Sequence, residues 1–131
     1  MAKVEKFEDL LVFQKARELC NDIYRVTNLE PWKSDFRFVQ QIHAAVGSIM
    51  DNIAEGYERN GNKELKNFLY IAKGSCGEVR SQIIRASDAG FIDAETFAKL
   101  YNKCIALSRS LSTFAKSIHT SGMAGSKFFE P

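Results

Sequence analysis

Apolar residues recur along this chain at threes and fours, the spacing of one face of an α-helix. In the first such stretch, Leu10 to Asn28, the apolar face holds Val12, Ala16, Leu19, Ile23 and Thr27, widened by Phe13, Cys20 and Tyr24. Asp9 stands where an N-cap belongs, and Asn28 and Pro31 stop the helix. A second helix is predicted from Ser34 to Glu58, with Phe36, Val39, Ile42, Val46, Ile49, Ile53 and Tyr57 on one side. Asn60-Gly61-Asn62 turns the chain into a third helix, Lys63 to Ala89, on Leu65, Phe68, Ala72, Cys76, Val79, Ile83 and Ala86. Gly90 is placed to end it, because glycine enters the left-handed conformation without steric cost. Asp93 caps a fourth helix, whose Phe97, Leu100, Cys104, Leu107, Leu111, Phe114 and Ile118 repeat as a heptad seam.

Four amphipathic helices joined by short turns predict an all-α fold, an antiparallel up-down-up-down four-helix bundle. Residues 1–121 form its domain, and 122–131 are expected to be a flexible C-terminal tail. The expected core includes Leu19, Ile23, Val46, Ile53, Ala72, Val79, Ile83, Leu100, Leu107 and Leu111. Phe7, Phe13, Trp32, Phe38, Tyr70 and Phe91 are left over. Either they cover the bundle ends, or they gather into a patch that a monomer tends to avoid.

Composition fits this architecture. Of 131 residues, 45% are apolar and 26% charged, and two prolines leave room for long helices. No run is long enough to span a membrane, and Met1 leads into charged sequence without an export signal, so a cytoplasmic location is expected. Three cysteines without CxxC spacing indicate neither a disulfide scaffold nor a zinc site. Cys76 and Cys104 fall on seams and are expected to be inert core residues.

Candidate chemistry is sparse. His43 follows Gln40 by three and His119 follows Lys116, so neither completes the Glu-x-x-His pattern of a di-metal bundle. Lys73-Gly74-Ser75-Cys76-Gly77 lacks the strand that a phosphate loop requires; its small residues suit the close approach of a neighbouring helix. No cofactor is expected. Gln41, Asn52 and Glu55 on the second helix, with Glu78 and Gln82 on the third, read as a hydrogen-bonded polar layer. The alternative is an enzyme or ligand-binding bundle that uses Glu55 and Glu78 as acid and base.

The net charge of +2 announces no nucleic-acid binder, but it is unevenly spread. The second helix sets Arg37 against Asp35, Asp51, Glu55 and Glu58, whereas the third and fourth are net basic. Lys66, Lys73 and Arg80 recur every seven residues and form one stripe, a candidate phosphate contact. Aromatic residues beside this stripe are few, with Tyr70 the main one.

Several segments resemble the bacterial 23S rRNA-intervening-sequence proteins. They are Phe7-Glu8-Asp9-Leu10-Leu11-Val12-Phe13-Gln14-Lys15-Ala16; Ile23-Tyr24 followed by Thr27; and Gln41-Ile42 through Ser48-Ile49 to Asn52-Ile53-Ala54-Glu55-Gly56. Phe68-Leu69-Tyr70-Ile71-Ala72-Lys73-Gly74-Ser75, continuing to Glu78 and Gln82, and Ala89-Gly90-Phe91-Ile92 complete the series. The resemblance covers about residues 7 to 118. It implies a four-helix bundle that assembles into a ring, commonly a homopentamer, and carries over no catalytic residue. The fold is also similar to that of the accessory protein of diversity-generating retroelements, a basic pentamer that binds nucleic acid and a reverse transcriptase. Where many members have an arginine pair after Gln-Ile, this chain has His43 and Ala44, and Met50 replaces a frequent proline. The expected function is therefore a non-enzymatic, homo-oligomeric scaffold with weak RNA or DNA binding or a protein partner.

Overall fold

The computed structural model describes residues 4–119 and 130–131. Four helices dominate it: α1 (Leu11–Thr27), α2 (Phe36–Glu58), α3 (Asn62–Asp88) and α4 (Ala94–Ser117). Single 3-10 turns, Phe7–Asp9 and Trp32–Ser34, precede α1 and α2, and no strand occurs among the described residues. No described helix is long and apolar enough to cross a membrane.

Each helix buries most of the stripe its sequence marks out, and all ten expected core residues are buried, but Tyr24 and Phe36, read as stripe positions of α1 and α2, are exposed at the helix ends. Neighbours meet in reversed order along the chain. Phe38 of α2 meets Arg85 of α3, Ser48 meets Ser75, and Gly56 meets Phe68. Across α3 and α4, the Cys76 thiol donates to the Cys104 carbonyl at 3.3 Å. The Cys104 thiol is pushed up by its hydrogen bond to Cys76 and by burial, which disfavours a thiolate. The leftover aromatic residues mostly close the bundle. Trp32, Phe38 and Phe91 pack with ring centroids 5.1 to 6.1 Å apart, and Phe7 meets Phe13 edge-on at 5.0 Å.

The helix ends show which local signals operate. Asp35 and Asp93 accept from the backbone N–H groups of Phe38 and Thr96, at 3.1 and 2.7 Å, and so cap α2 and α4. Gly90, with φ of +77°, follows α3, and the next N–H, that of Phe91, reaches back to the Ala86 carbonyl at 2.9 Å. Asp9 does not cap α1. Its carboxylate turns back to the N–H groups of Glu5 and Lys6. The start of α1 is served instead by Glu130, whose buried carboxylate accepts from Leu11 N–H and, at 2.8 Å, from Val12 N–H. The rest of the tail expected to be flexible, 122–129, lies outside the described residues.

One polar cluster ties α1 to α4. The Lys103 ammonium of α4 reaches Glu18 at 3.0 Å and the buried Asp22, both on α1, and Asp22 also accepts from Arg25. The Asp22 bond chiefly holds the Lys103 pKa above its ordinary value. A buried carboxylate needs such partners, because desolvation otherwise disfavours its charge.

Candidate functional site

Of the five expected polar-layer residues, Gln41, Asn52 and Glu55 lie on α2 and Glu78 and Gln82 on α3, and only Gln82 is buried. The Asn52 amide donates to the Ser48 carbonyl at 2.8 Å and to its hydroxyl at 2.9 Å. Ser48 then meets Ser75 across the helices, also at 2.9 Å. Glu55, exposed, pairs with Arg59 one turn on at 2.6 Å. Glu78 is exposed and accepts from the Gln82 amide at 3.4 Å, while Gln41 is exposed on α2. Glu55 and Glu78 thus have separate partners on their own helices.

The expected phosphate stripe is present as a face of α3, with Lys66, Lys73 and Arg80 all half-buried. Arg80 lies over the Tyr101 ring of α4, 5.9 Å from its centroid. Gly74 and Gly77 are exposed, and a Cβ on either would meet nothing within 4 Å. The neighbouring helices approach this segment at Ser75 and Cys76, which meet Ser48 of α2 and the Cys104 carbonyl of α4, and not at its two glycines. Close approach occurs instead at Gly56, where a Cβ would stand 2.6 Å from the Phe68 Cβ.

Another site escaped the sequence reading. Where α1 ends and α2 begins, Tyr24 stacks on His43 with centroids 3.9 Å apart and planes 13° from parallel. Beneath them the buried Thr27 hydroxyl lies 2.8 Å from the Ile23 carbonyl and 2.8 Å from His43 Nε2. A threonine hydroxyl has one proton. Given to the Ile23 carbonyl, it leaves the oxygen to accept from His43, so Nε2 carries the ring proton and Nδ1 of the neutral ring is an acceptor. Burial lowers the His43 pKa, which favours that neutral ring.

These residues line a groove of about 550 Å³, completed by Arg25, Asn28, Lys33, Phe36 and Val39. Phe36 is 76% exposed and Tyr24 51%, with Leu29, 64% exposed, in the adjoining turn. The lining holds two cations and no carboxylate. The signal for this site was a matter of counting. In a helical hairpin, residues about equally far before and after the turn meet, and Tyr24 and His43 flank the Pro31–Asp35 turn in that way.

Among the described residues, no group of three or more His, Cys, Asp or Glu is placed to hold a metal ion.

The comparisons agree with this architecture. Comparison with the curated proteins finds no match. One solved structure, a protein of unknown function from the S23 ribosomal protein family of Bacteroides thetaiotaomicron, superposes with a TM-score of 0.73 at 21% identity. The match covers 82% of this chain and 96% of that one, and it speaks for the fold. The family model of the 23S rRNA-intervening sequence proteins matches residues 8–113, which takes in all of α1, α2 and α3 and most of α4. The chain belongs to the 23S rRNA-intervening sequence protein family.

Proposed function

We propose that this protein is a non-enzymatic scaffold of the cytoplasm. In this reading an antiparallel up-down-up-down bundle associates with further copies of itself, as a pentamer, and binds RNA or DNA weakly. The reversed contacts between neighbouring helices support the bundle topology. The separate pairing of Glu55 with Arg59 and of Glu78 with Gln82 supports a scaffold over an acid–base pair.

The observation that carries self-association is the outer face of α3. Tyr70 and Ile84 are exposed and share that face at a spacing of fourteen residues, with Gly77 midway and open space above it. Exposed apolar side chains beside an uncovered backbone suit the approach of another helix. Closure into a ring requires a second, different surface on each copy. Lys66, Lys73 and Arg80 run beside this face, and repetition around a ring turns weak phosphate contacts into avidity.

Light scattering on the purified protein, with and without RNA, tests both parts. Five times the 14.8 kDa chain mass is expected. A monomer at high micromolar concentration would end the self-association reading. A failure to bind RNA or DNA at about 50 mM salt would end the nucleic-acid reading, because phosphate contacts are strong there.

A further inference from the structure

The groove between the end of α1 and the start of α2 lies apart from the Lys66–Lys73–Arg80 stripe, and it has what that stripe lacks. It combines flat π surfaces, cations and hydrogen-bonding edges in one opening. Phe36 offers a ring that is three-quarters exposed, and the Tyr24–His43 stack offers a second platform. Lys33 and Arg25 line the same space with no carboxylate among them, and Asp22 takes up part of the Arg25 donor capacity. Asn28 and His43 line the same opening and supply polar edges.

Each feature matches one part of a nucleotide. Exposed aromatic rings stack bases of any sequence, because every base has a π face. Cations in an opening whose own lining holds no carboxylate suit phosphates. An imidazole nitrogen that only accepts suits the exocyclic amino group of adenine, cytosine or guanine. A duplex keeps its base faces stacked inside and has nothing to offer Phe36.

We propose that this groove binds single-stranded nucleic acid, with bases stacked on Phe36 and on the Tyr24–His43 pair and phosphates held by Lys33 and Arg25. The inference rests on the nucleic-acid part of the function proposed above and moves its principal contact from α3 to the α1–α2 turn. Sequence preference is weak, since stacking and phosphate contacts read no base pattern.

The test is fluorescence anisotropy on the full chain at about 50 mM salt, with a labelled single-stranded 12-mer RNA and the same RNA as a duplex. Phe36→Ala and Tyr24→Ala are each expected to weaken single-strand binding about tenfold, the scale of one lost base stack. Lys33→Glu should weaken it and flatten its salt dependence by about one phosphate contact. Phe36→Trp should keep the affinity, and its added indole, unlike the buried Trp32, should be quenched by bound RNA.

Unchanged binding by Phe36→Ala and Tyr24→Ala, with binding lost when Lys66, Lys73 and Arg80 are replaced by glutamate, would overturn the groove and leave the stripe. A wild type that binds no strand would overturn both. A change of oligomer mass in Phe36→Ala without a change in RNA affinity would make the groove a contact between copies and also overturn this inference.

Discussion

The α2–α3 seam and the α1–α2 groove both lie between helices consecutive in the chain, yet they put their polar groups to opposite uses. Along the seam, Asn52, Ser48 and Ser75 bond one another, and the glycine at 56 lets α3 press against α2. In the groove, Thr27 and His43 also bond, but the rings and cations around them face open space. A polar group satisfied within the chain fixes geometry, and one left open is available to a ligand. The carboxylates singled out by their spacing belong to the first kind. The aromatic residues at the α1–α2 turn belong to the second.

The largest expected effect strikes the core that both regions share. Leu107→Ala should cost about 2–5 kcal/mol in chemical denaturation, the range for truncating a buried leucine. The next change tests the close packing of the α2–α3 seam. Gly56→Leu should cost about 1–3 kcal/mol by forcing α2 and α3 apart. Gly47→Ala, on the same helix with nothing within 4 Å of the added Cβ, should stabilise by about 0.5–1 kcal/mol. Equal responses at the two glycines would mean that α2 and α3 do not close at Gly56.

Smaller effects sharpen the groove itself. The folded His43 binds its proton less readily than the unfolded one, so unfolding takes up a proton as the pH falls below about 6.5. Stability should therefore decline with falling pH through that region, by at most about 1.4 kcal/mol per pH unit, until the folded ring titrates as well. His43→Gln should remove that slope, seen by denaturation at several pH values. Least of all, Phe36→Ala should change stability by less than about 0.5 kcal/mol, since its ring is mostly in water. A larger loss would make Phe36 a structural residue.

The helices were legible because periodicity records which side of a helix faces inward, and that is a local property. The observed ends of α1, α2 and α3 lie within two residues of those read from turns and caps, and Asp93 caps α4 as its position suggested. Contacts between helices were harder to read. His43, taken alone, is a lone histidine on an amphipathic helix, and it becomes part of a site only when the hairpin brings Tyr24 and Thr27 to it. Asp9 misled for a related reason. It has the right residue type at the right place, but it turned to the backbone before it, and a residue from the far end of the chain took the cap.

That distant cap sets an order of events during synthesis. All four helices leave the ribosome before Glu130 does, so α1 is the first of the four to be made, and the acceptor for its opening amides is made after all of them. Until then its leading amides depend on water. A protein cut short just before Glu130 would keep the residues of all four helices and still begin α1 on unanswered N–H groups. The opening turn of this fold is thus secured by a residue translated after all four helices.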